Sequence, residues 1–266
     1  MIIKLNAAIG DTVGLTSVLE PLYKETGIKP VVSTSFPEIF YNNPFVDRIS
    51  TTNETILLEP CKVYSCNIVQ YYANRLGLKE NYPLQNRVYL TRDEVLEAKN
   101  ELKELNGIKI AVCLFSSADS KDLRYEYIKL MLRKLKSYGA HLIFFGTKHP
   151  NDQIGLFSKS FIGKYGNNLR RLFALMNECD LYVGVDTGLF HIANALSIPQ
   201  IVFFRNNECS NNAYKDTIFF DSQKECPSRC LIPFLGNCRS EERCMDTFDL
   251  EQYYNKIIEV IDKIKQ

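Results

Sequence analysis

The chain has 266 residues, 45% of them hydrophobic, and its formal net charge is +1. That length and apolar fraction suffice for one large core or two modest ones, and two compact lobes fit them best. A net charge this small does not attract nucleic acid or an anionic membrane electrostatically. The basic run from Lys129 to Lys136 allows at most peripheral membrane contact.

The chain shows no apolar stretch near 18 residues and no cationic leader followed by an apolar run. We therefore expect neither a membrane-spanning helix nor a signal peptide, and we expect a cytoplasmic location. The nine cysteines are then not expected to form structural disulfides, because cytoplasmic thiols stay reduced.

The amino-terminal part of the chain alternates predicted strands and helices. Met1 to Leu5 is typical of a strand, and Thr12 to Thr26 of a helix closed by Gly27. Lys29 to Ser33 is typical of a second strand, and Phe45 to Ile49 leads into a third. This order predicts the start of a parallel sheet.

The first strand is followed by small residues that end in Gly10-Asp11. An aspartate at a helix start is usually an N-cap, worth about 1 kcal/mol. The other interpretation is a carboxylate that faces a cleft and acts as a general base. On the residues alone, the cap is favoured.

A well-marked helix precedes a second set of strands. Thr91-Arg-Asp-Glu94 is a capping box, and an apolar stripe follows until Gly107. A strand begins at Lys109, so we place the domain boundary near Asn106, with lobes at 1–106 and 107–266. The strands predicted for the second lobe are Ile110 to Phe115, His141 to Phe145, Leu181 to Val185 and Ile201 to Phe204.

The loop after the first of these strands contains Ser116, Ser117 and Lys121. A lone loop lysine is usually only solvated. Beside a phosphate-binding turn, it would neutralise the charge of a departing diphosphate, and the two serines would add hydroxyl donors.

The most informative segment is the strand Leu181 to Val185 with the turn Asp186-Thr187-Gly188 and the helix that follows. Free backbone N–H groups, the helix dipole and a glycine at the turn predict a site for phosphate or diphosphate. His191, one helical step further, is either a donor to that phosphate or a satisfied core histidine. The alternative for the whole turn is ordinary helix capping.

The cysteines divide into scattered and clustered ones. Cys61, Cys66, Cys113, Cys179 and Cys209 are interpreted as small buried residues or free thiols. Cys226, Cys230, Cys238 and Cys244 lie together in a polar loop, 226–244. Four thiolates of this kind form a closed tetrahedral site for zinc or iron, and paired or free thiols are the alternative.

The phosphate-binding turn and its helix resemble the corresponding segment of the ADP-heptose lipopolysaccharide heptosyltransferases. The matching residues are Asp186-Thr187-Gly188-x-x-His191 and the tail Ala-Asn-Ala-Leu-x-x-Pro199. Gly10-Asp11, Lys121 and the cysteine-rich segment ending in Cys244-Met245 match that family in the same order. One departure is that Asp122-Leu-Arg124 stands where the family has a tryptophan soon after the lysine.

The resemblance implies an α/β fold with two Rossmann-like lobes of the GT-B type and a cleft between them. It implies inverting transfer of a sugar, most simply heptose from ADP-heptose, onto a hydroxyl of a glycan, lipid-linked or protein acceptor. Asp11 would be the base, with Gly10 leaving room for the sugar, and Asp186 would orient its turn or reach a sugar hydroxyl. Lys121, Thr187, Gly188 and His191 would hold the diphosphate, so catalysis would need no cofactor.

Three further expectations come from the resemblance. The cysteine cluster resembles an iron-binding finger in the autotransporter-modifying branch of the family. The last helix, Phe248 to Ile264, packs along a lobe by default, and by resemblance it would cross back toward the first lobe. The first lobe is shorter than is usual in the family, which favours a protein side chain or another glycan as acceptor over the lipopolysaccharide core.

Two other classes of function remain open at this point. A sugar-nucleotide epimerase or hydrolase would use the same diphosphate pocket without an acceptor. A noncatalytic protein would bind the nucleotide sugar and show no turnover.

Overall fold

The computed structural model describes residues 1–50, 56–57, 66–79, 85–148, 155–163, 168–205, 213–220 and 243–266. The strands in these residues are β1 (Ile2–Leu5), β2 (Val31–Thr34), β3 (Arg48–Ile49), β4 (Ile56–Leu57), β5 (Lys109–Cys113), β6 (His141–Gly146), β7 (Lys159–Ile162), β8 (Leu181–Val185), β9 (Gln200–Phe203) and β10 (Thr217–Phe219). The helices are α1 (Ile9–Thr16), α2 (Leu19–Thr26), α3 (Ile68–Arg75), α4 (Arg92–Leu102), α5 (Tyr125–Ser137), α6 (Leu169–Asn177), α7 (Gly188–Ala195) and α8 (Leu250–Lys265).

The strands form two parallel sheets, one in each lobe. Their orders are β3-β2-β1-β4 and β10-β9-β8-β5-β6-β7. The order reverses between β1 and β4 in the first sheet and between β5 and β8 in the second. In open α/β sheets, ligands bind beyond the carboxyl ends of the strands at such switch points. The predicted two-lobe α/β fold is confirmed.

The single helix predicted from Thr12 to Thr26 is wrong, because the structure has two helices, α1 and α2. At the break, the hydroxyls of Thr16 and Ser17 donate to the carbonyls of Val13 and Gly14 over 2.6 and 2.7 Å. Pro21, which has no backbone N–H, then lies in the first turn of α2. The N–H groups of a first turn make no hydrogen bond within the helix, so proline is tolerated at this position. Gly27 closes α2 with φ of 70°, as predicted.

The capping box at Thr91 and Glu94 is confirmed at the start of α4, and this helix packs against α6 of the second lobe. The buried guanidinium of Arg170 on α6 joins the lobes. It donates to both carboxylate oxygens of Glu94 over 2.7 Å and to the backbone oxygens of Tyr89 and Glu38 over 2.6 and 3.1 Å. The division of the chain at residue 106 stays a prediction.

Two apolar cores follow from this arrangement. One spans both lobes and contains buried residues of β1, α1, α6 and α7. The other lies within the second lobe and includes Tyr253, Ile257 and Ile261 of α8. The last helix therefore packs along the second lobe beside α5, and the expectation that it crosses toward the first lobe is wrong. None of the helices in the described ranges combines the length and apolar character needed to cross a bilayer.

Candidate functional site

The predicted site residues come together where the two switch points face each other. Asp11 follows β1, Lys121 follows β5 and Asp186 follows β8. Helices α1 and α7 pack against each other across the lobe boundary. Asp11 and Asp186 are therefore brought from different lobes into one polar cluster.

Asp11 is not an N-cap. Ala8 occupies the N-cap position of α1, and Asp11 is the third residue of the helix. Burial, and then the negative charge of Asp186, raise the pKa of the Asp11 carboxyl from 3.8 to about 6, against the smaller opposing effects of backbone N–H groups and Lys121. A carboxylate with a pKa near neutrality accepts a proton more readily than an ordinary aspartate does.

Lys121 and Asp186 form an ion pair between the segments that follow the neighbouring strands β5 and β8. The Lys121 Nζ lies 2.8 Å from Asp186 Oδ2, and the two side chains are 17% and 3% exposed. A buried carboxylate of this kind depends on its partner, since an unpaired buried charge is costly. The cluster thus holds one lysine and two carboxylates, which accounts for the effect of Asp186 on Asp11.

Thr187 caps α7 and shapes the turn before it. Its hydroxyl accepts from the N–H of Leu189 over 3.1 Å, and its carbonyl accepts from the N–H of Phe190 over 3.1 Å. The Cys113 thiol lies 3.8 Å from the same hydroxyl and joins the end of β5 to this turn. Two N–H groups at the start of α7, which were predicted to be free for a ligand, are therefore bonded to Thr187 itself. The partial positive charge of the helix start remains available to an anion.

Gly10 and Gly188 allow α1 and α7 to come this close. A Cβ on Gly10 would lie 2.5 Å from Cδ2 of His191, and one on Gly188 would lie 2.8 Å from Cγ2 of Ile9. His191 is buried, and burial lowers the pKa of its imidazole to about 4. The histidine is therefore neutral at pH 7, and the position beside the Cα of Gly10 is filled by its ring.

We expect Gly10→Ala to weaken both folding and binding of a nucleoside diphosphate, because the added methyl would push His191 away. Overpacking of this kind costs about 1–3 kcal/mol. Gly14→Ala on the same helix is the matched control. Its Cβ would meet Ile68 and Tyr72 no closer than 3.4 Å, and alanine favours helix. Thermal melting and ligand titration of the two variants check this, and wild-type behaviour of Gly10→Ala would contradict it.

The loop that carries Lys121 is held by three cations from separate elements. Lys148 bonds to the carboxylates of Asp119 and Asp122. Arg243 donates to the backbone oxygens of the same two residues over 3.1 and 2.6 Å. Arg205, two residues after the end of β9, is buried and donates to Ser120 over 2.7 Å. These contacts hold the turn that presents Lys121 to Asp186.

The two predicted serines differ in their surroundings. Ser116 is buried, its N–H donates to Asp122 over 2.6 Å, and its hydroxyl accepts from the N–H of Ala118 over 3.2 Å. Ser117 is exposed. Ser116 therefore shapes the loop, and Ser117 is the one of the pair whose side chain faces solvent.

The cysteine prediction is only partly covered by the structure. Cys226, Cys230 and Cys238 lie outside the described residues, as do Cys61 and Cys209. In the part of the chain that the structure describes, no group of three metal-ligating side chains is found. Cys113, Cys179 and Cys244 are buried, and burial raises the pKa of the Cys113 thiol to about 11, so this thiol is unreactive.

Sequence reasoning missed Arg205 and Tyr214. Arg205 directly follows an apolar strand, and a charge in that position was a usable signal for a role at the carboxyl edge of the sheet. The Tyr214 hydroxyl lies 2.5 Å from Nδ1 of His191. The two residues are 23 positions apart, and no local pattern connects them.

Residues 66–219 match the family model of glycosyltransferase family 9 (heptosyltransferase), which is more than half of the chain. No curated protein matches the sequence.

Solved structures with this fold cover the whole chain at low identity. A glycosyltransferase family 9 protein from Veillonella parvula is 15% identical with a TM-score of 0.79, covering 98% of this chain and 97% of that one. ADP-heptose lipopolysaccharide heptosyltransferase II of E. coli is 12% identical with a TM-score of 0.68, covering 100% and 99%. The dodecameric iron-containing heptosyltransferase TibC, in complex with ADP-D-β-D-heptose, is 14% identical with a TM-score of 0.71, covering 98% and 76%; TibC is from enterotoxigenic E. coli.

Proposed function

The chain belongs to glycosyltransferase family 9, the heptosyltransferases, and from this premise we propose that it transfers heptose from ADP-heptose to a hydroxyl acceptor with inversion. The donor is inferred from the family and from TibC, whose structure contains ADP-D-β-D-heptose. The acceptor is a glycan, a lipid-linked sugar or a protein side chain. Transfer assays with each of the three acceptors distinguish them.

Asp11 is the general base of the proposed reaction. Its carboxylate takes the proton of the acceptor hydroxyl while that oxygen bonds to the anomeric carbon of the sugar. The bond from this carbon to the diphosphate oxygen breaks on the opposite face, so the configuration inverts. The raised pKa of Asp11 and its place on α1, at the lobe boundary, support this role.

Lys121, the start of α7 and His191 receive the leaving diphosphate. Negative charge grows on that group in the transition state, and an ammonium with a helix start stabilises it. Thr187 and Gly188 form the turn that the diphosphate would approach, and Ser116 and Ser117 lie in the loop of Lys121. Asp186 holds the Lys121 ammonium at 2.8 Å and orients it.

The single observation that carries the proposal is the cluster of Asp11, Lys121 and Asp186. Burial and the charge of Asp186 together raise the Asp11 pKa, and Lys121 pairs with Asp186 at 2.8 Å, although these residues come from two lobes and from three separate parts of the chain. A structural cap or a solvated lysine would need no such convergence. An inverting transferase needs a base on one side of the sugar and a cation on the other.

Thermal-shift measurements with ADP, other nucleoside diphosphates and AMP test the binding half of the proposal. A ligand that binds only the folded state raises the melting temperature by mass action. We expect ADP to stabilise the protein clearly more than AMP does, because the second phosphate is what Lys121 and α7 bind. Equal shifts for ADP and AMP would contradict the diphosphate site.

The cysteine cluster is proposed as a structural metal site that takes no part in transfer. Four thiolates are a donor set that suits zinc or iron, and TibC is described as iron-containing. We expect elemental analysis of the purified protein to give about one zinc or iron per chain. Cys230→Ser should lower metal content and melting temperature together, because such binding energy is folding energy. Metal-free protein of unchanged stability would overturn the site.

A further inference from the structure

The His191 ring is held from three sides. Its Cδ2 and Nε2 lie against the Cα of Gly10. The Phe190 ring lies 4.9 Å from it, tilted, and the Tyr214 ring lies 5.7 Å from it, edge to face at 87°. The side chain is 6% exposed. The ring therefore has one orientation, and its two nitrogens face different partners.

The partners of the two nitrogens differ in what they can donate. Nδ1 lies 2.5 Å from the Tyr214 hydroxyl, which can donate or accept. Nε2 lies 3.7 Å from Asp186 Oδ1, and a carboxylate can only accept. An imidazole that is neutral at pH 7 carries one proton, so its tautomer is decided by these neighbours.

The surroundings of Tyr214 favour donation from its hydroxyl to Nδ1. The hydroxyl is buried, and burial raises its pKa, so it keeps its proton. The Asp186 carboxylate, 3.7 Å from Nε2, can only accept a proton from the ring and so favours the same arrangement. A proton on Tyr214 directed at Nδ1 leaves the imidazole proton on Nε2.

We propose that Tyr214 is a positioning residue that holds His191 in the Nε2–H tautomer, with this N–H directed to the side of the ring where Asp186 lies and the diphosphate binds. His191 then offers the anion a neutral donor beside the ammonium of Lys121. The first half of the inference concerns the protein without ligand. The second half, donation to a diphosphate, rests on the proposed function.

Heteronuclear NMR of histidine-labelled, ligand-free protein tests the tautomer directly, and the chain has only three histidines to assign. We expect His191 to carry its proton on Nε2 in the wild type. In Tyr214→Phe, which removes only the hydroxyl, we expect the Nδ1–H form to become populated. A wild-type His191 with its proton on Nδ1 would overturn the proposal, whatever the variant does.

Titration with ADP tests the consequence for binding. We expect Tyr214→Phe to bind ADP about 10-fold more weakly, the factor by which loss of one oriented hydrogen bond to a charged group lowers affinity. Tyr253→Phe is the matched control, because the hydroxyl of this buried tyrosine bonds to backbone groups of Val202 and Phe220, and the variant should leave ADP affinity unchanged. Wild-type affinity in Tyr214→Phe would remove the positioning role. A wild type with the expected tautomer that fails to bind ADP would instead refute the proposed function.

Discussion

Asp11→Asn is expected to lower the rate of sugar transfer by about 100-fold or more while donor affinity stays nearly intact, which is the range that loss of a general base commonly gives. An amide keeps the size and polarity of the carboxylate but cannot accept the acceptor's proton. The measurements are kcat for transfer and a titration with ADP-heptose or ADP.

The same variant should be more stable than the wild type at neutral pH. The pKa of Asp11 is about 6 in the folded protein against 3.8 for an ordinary aspartate, so the folded state binds the proton more tightly. The contribution of Asp11 to stability is present below pH 4 and is lost as the pH rises to about 6. Asparagine removes this buried charge, and the melting temperature should rise at about pH 7.5 and change less near pH 4.

Asp180→Asn is the control for a carboxylate with a structural role. Its Oδ2 accepts from the N–H of Lys109 over 2.8 Å, away from the cluster. This variant should lose some stability and keep kcat. If Asp11→Asn lost stability and activity in the same proportion, Asp11 would be a structural residue and not the base.

The pH dependence of kcat/KM is a second test of the role of Asp11. Because the base must be unprotonated, kcat/KM should rise with pH through a midpoint near the Asp11 pKa of about 6. Asp186→Asn removes the neighbouring charge that raises this pKa, so the midpoint should move to lower pH. Lys121 acts in the opposite direction and remains in that variant.

Lys121→Ala is expected to weaken binding of ADP by roughly 10- to 100-fold, the worth of a hydrogen bond to a charged group. The lysine is 17% exposed beside a carboxylate that is 3% exposed, so its removal also leaves Asp186 without its 2.8 Å partner. Breaking a buried pair in this way costs about 3–5 kcal/mol of stability. Titration calorimetry and thermal melting measure the two effects.

The double variant Lys121→Ala with Asp186→Asn separates these effects. It removes the buried negative charge that Lys121 balances in the wild type and should regain much of the lost stability, but it cannot regain the ammonium that binds the diphosphate. Lys129→Ala is the matched control, since this lysine on α5 pairs with Glu126 on the surface. Unchanged ADP affinity in Lys121→Ala would exclude the leaving-group role.

The strongest local patterns predicted the structure well. Strand β8 has the predicted bounds, Leu181–Val185, and α7 begins at Gly188, because a buried apolar run and a threonine cap fix both ends. The predicted helix from Thr12 to Thr26 was wrong, because hydroxyl contacts to the preceding turn and Pro21 interrupt an apolar pattern that continues through them.

The contacts across the lobes lay beyond sequence reasoning. The Arg170 guanidinium meets carbonyls of Glu38 and Tyr89, and the His191 ring fills the position beside Gly10. Such contacts depend on how the two sheets are placed relative to each other, and the hydrophobic periodicity of the sequence carries no information about that placement. The motif residues Asp11, Lys121 and Asp186 were found from the sequence, but their shared electrostatics needed the fold.

The most direct test of the account is the release of ADP from ADP-heptose, followed by phosphorus NMR with and without acceptors. The acceptors are a heptose-free lipid-linked core sugar, a glycan and a protein. We predict that ADP forms only with one of these acceptors, and that the heptose appears on it with the anomeric configuration opposite to that of the donor. ADP formed equally fast without any acceptor, together with free or epimerised heptose, would contradict the account and assign the cluster of Asp11, Lys121 and Asp186 to a hydrolase or an epimerase.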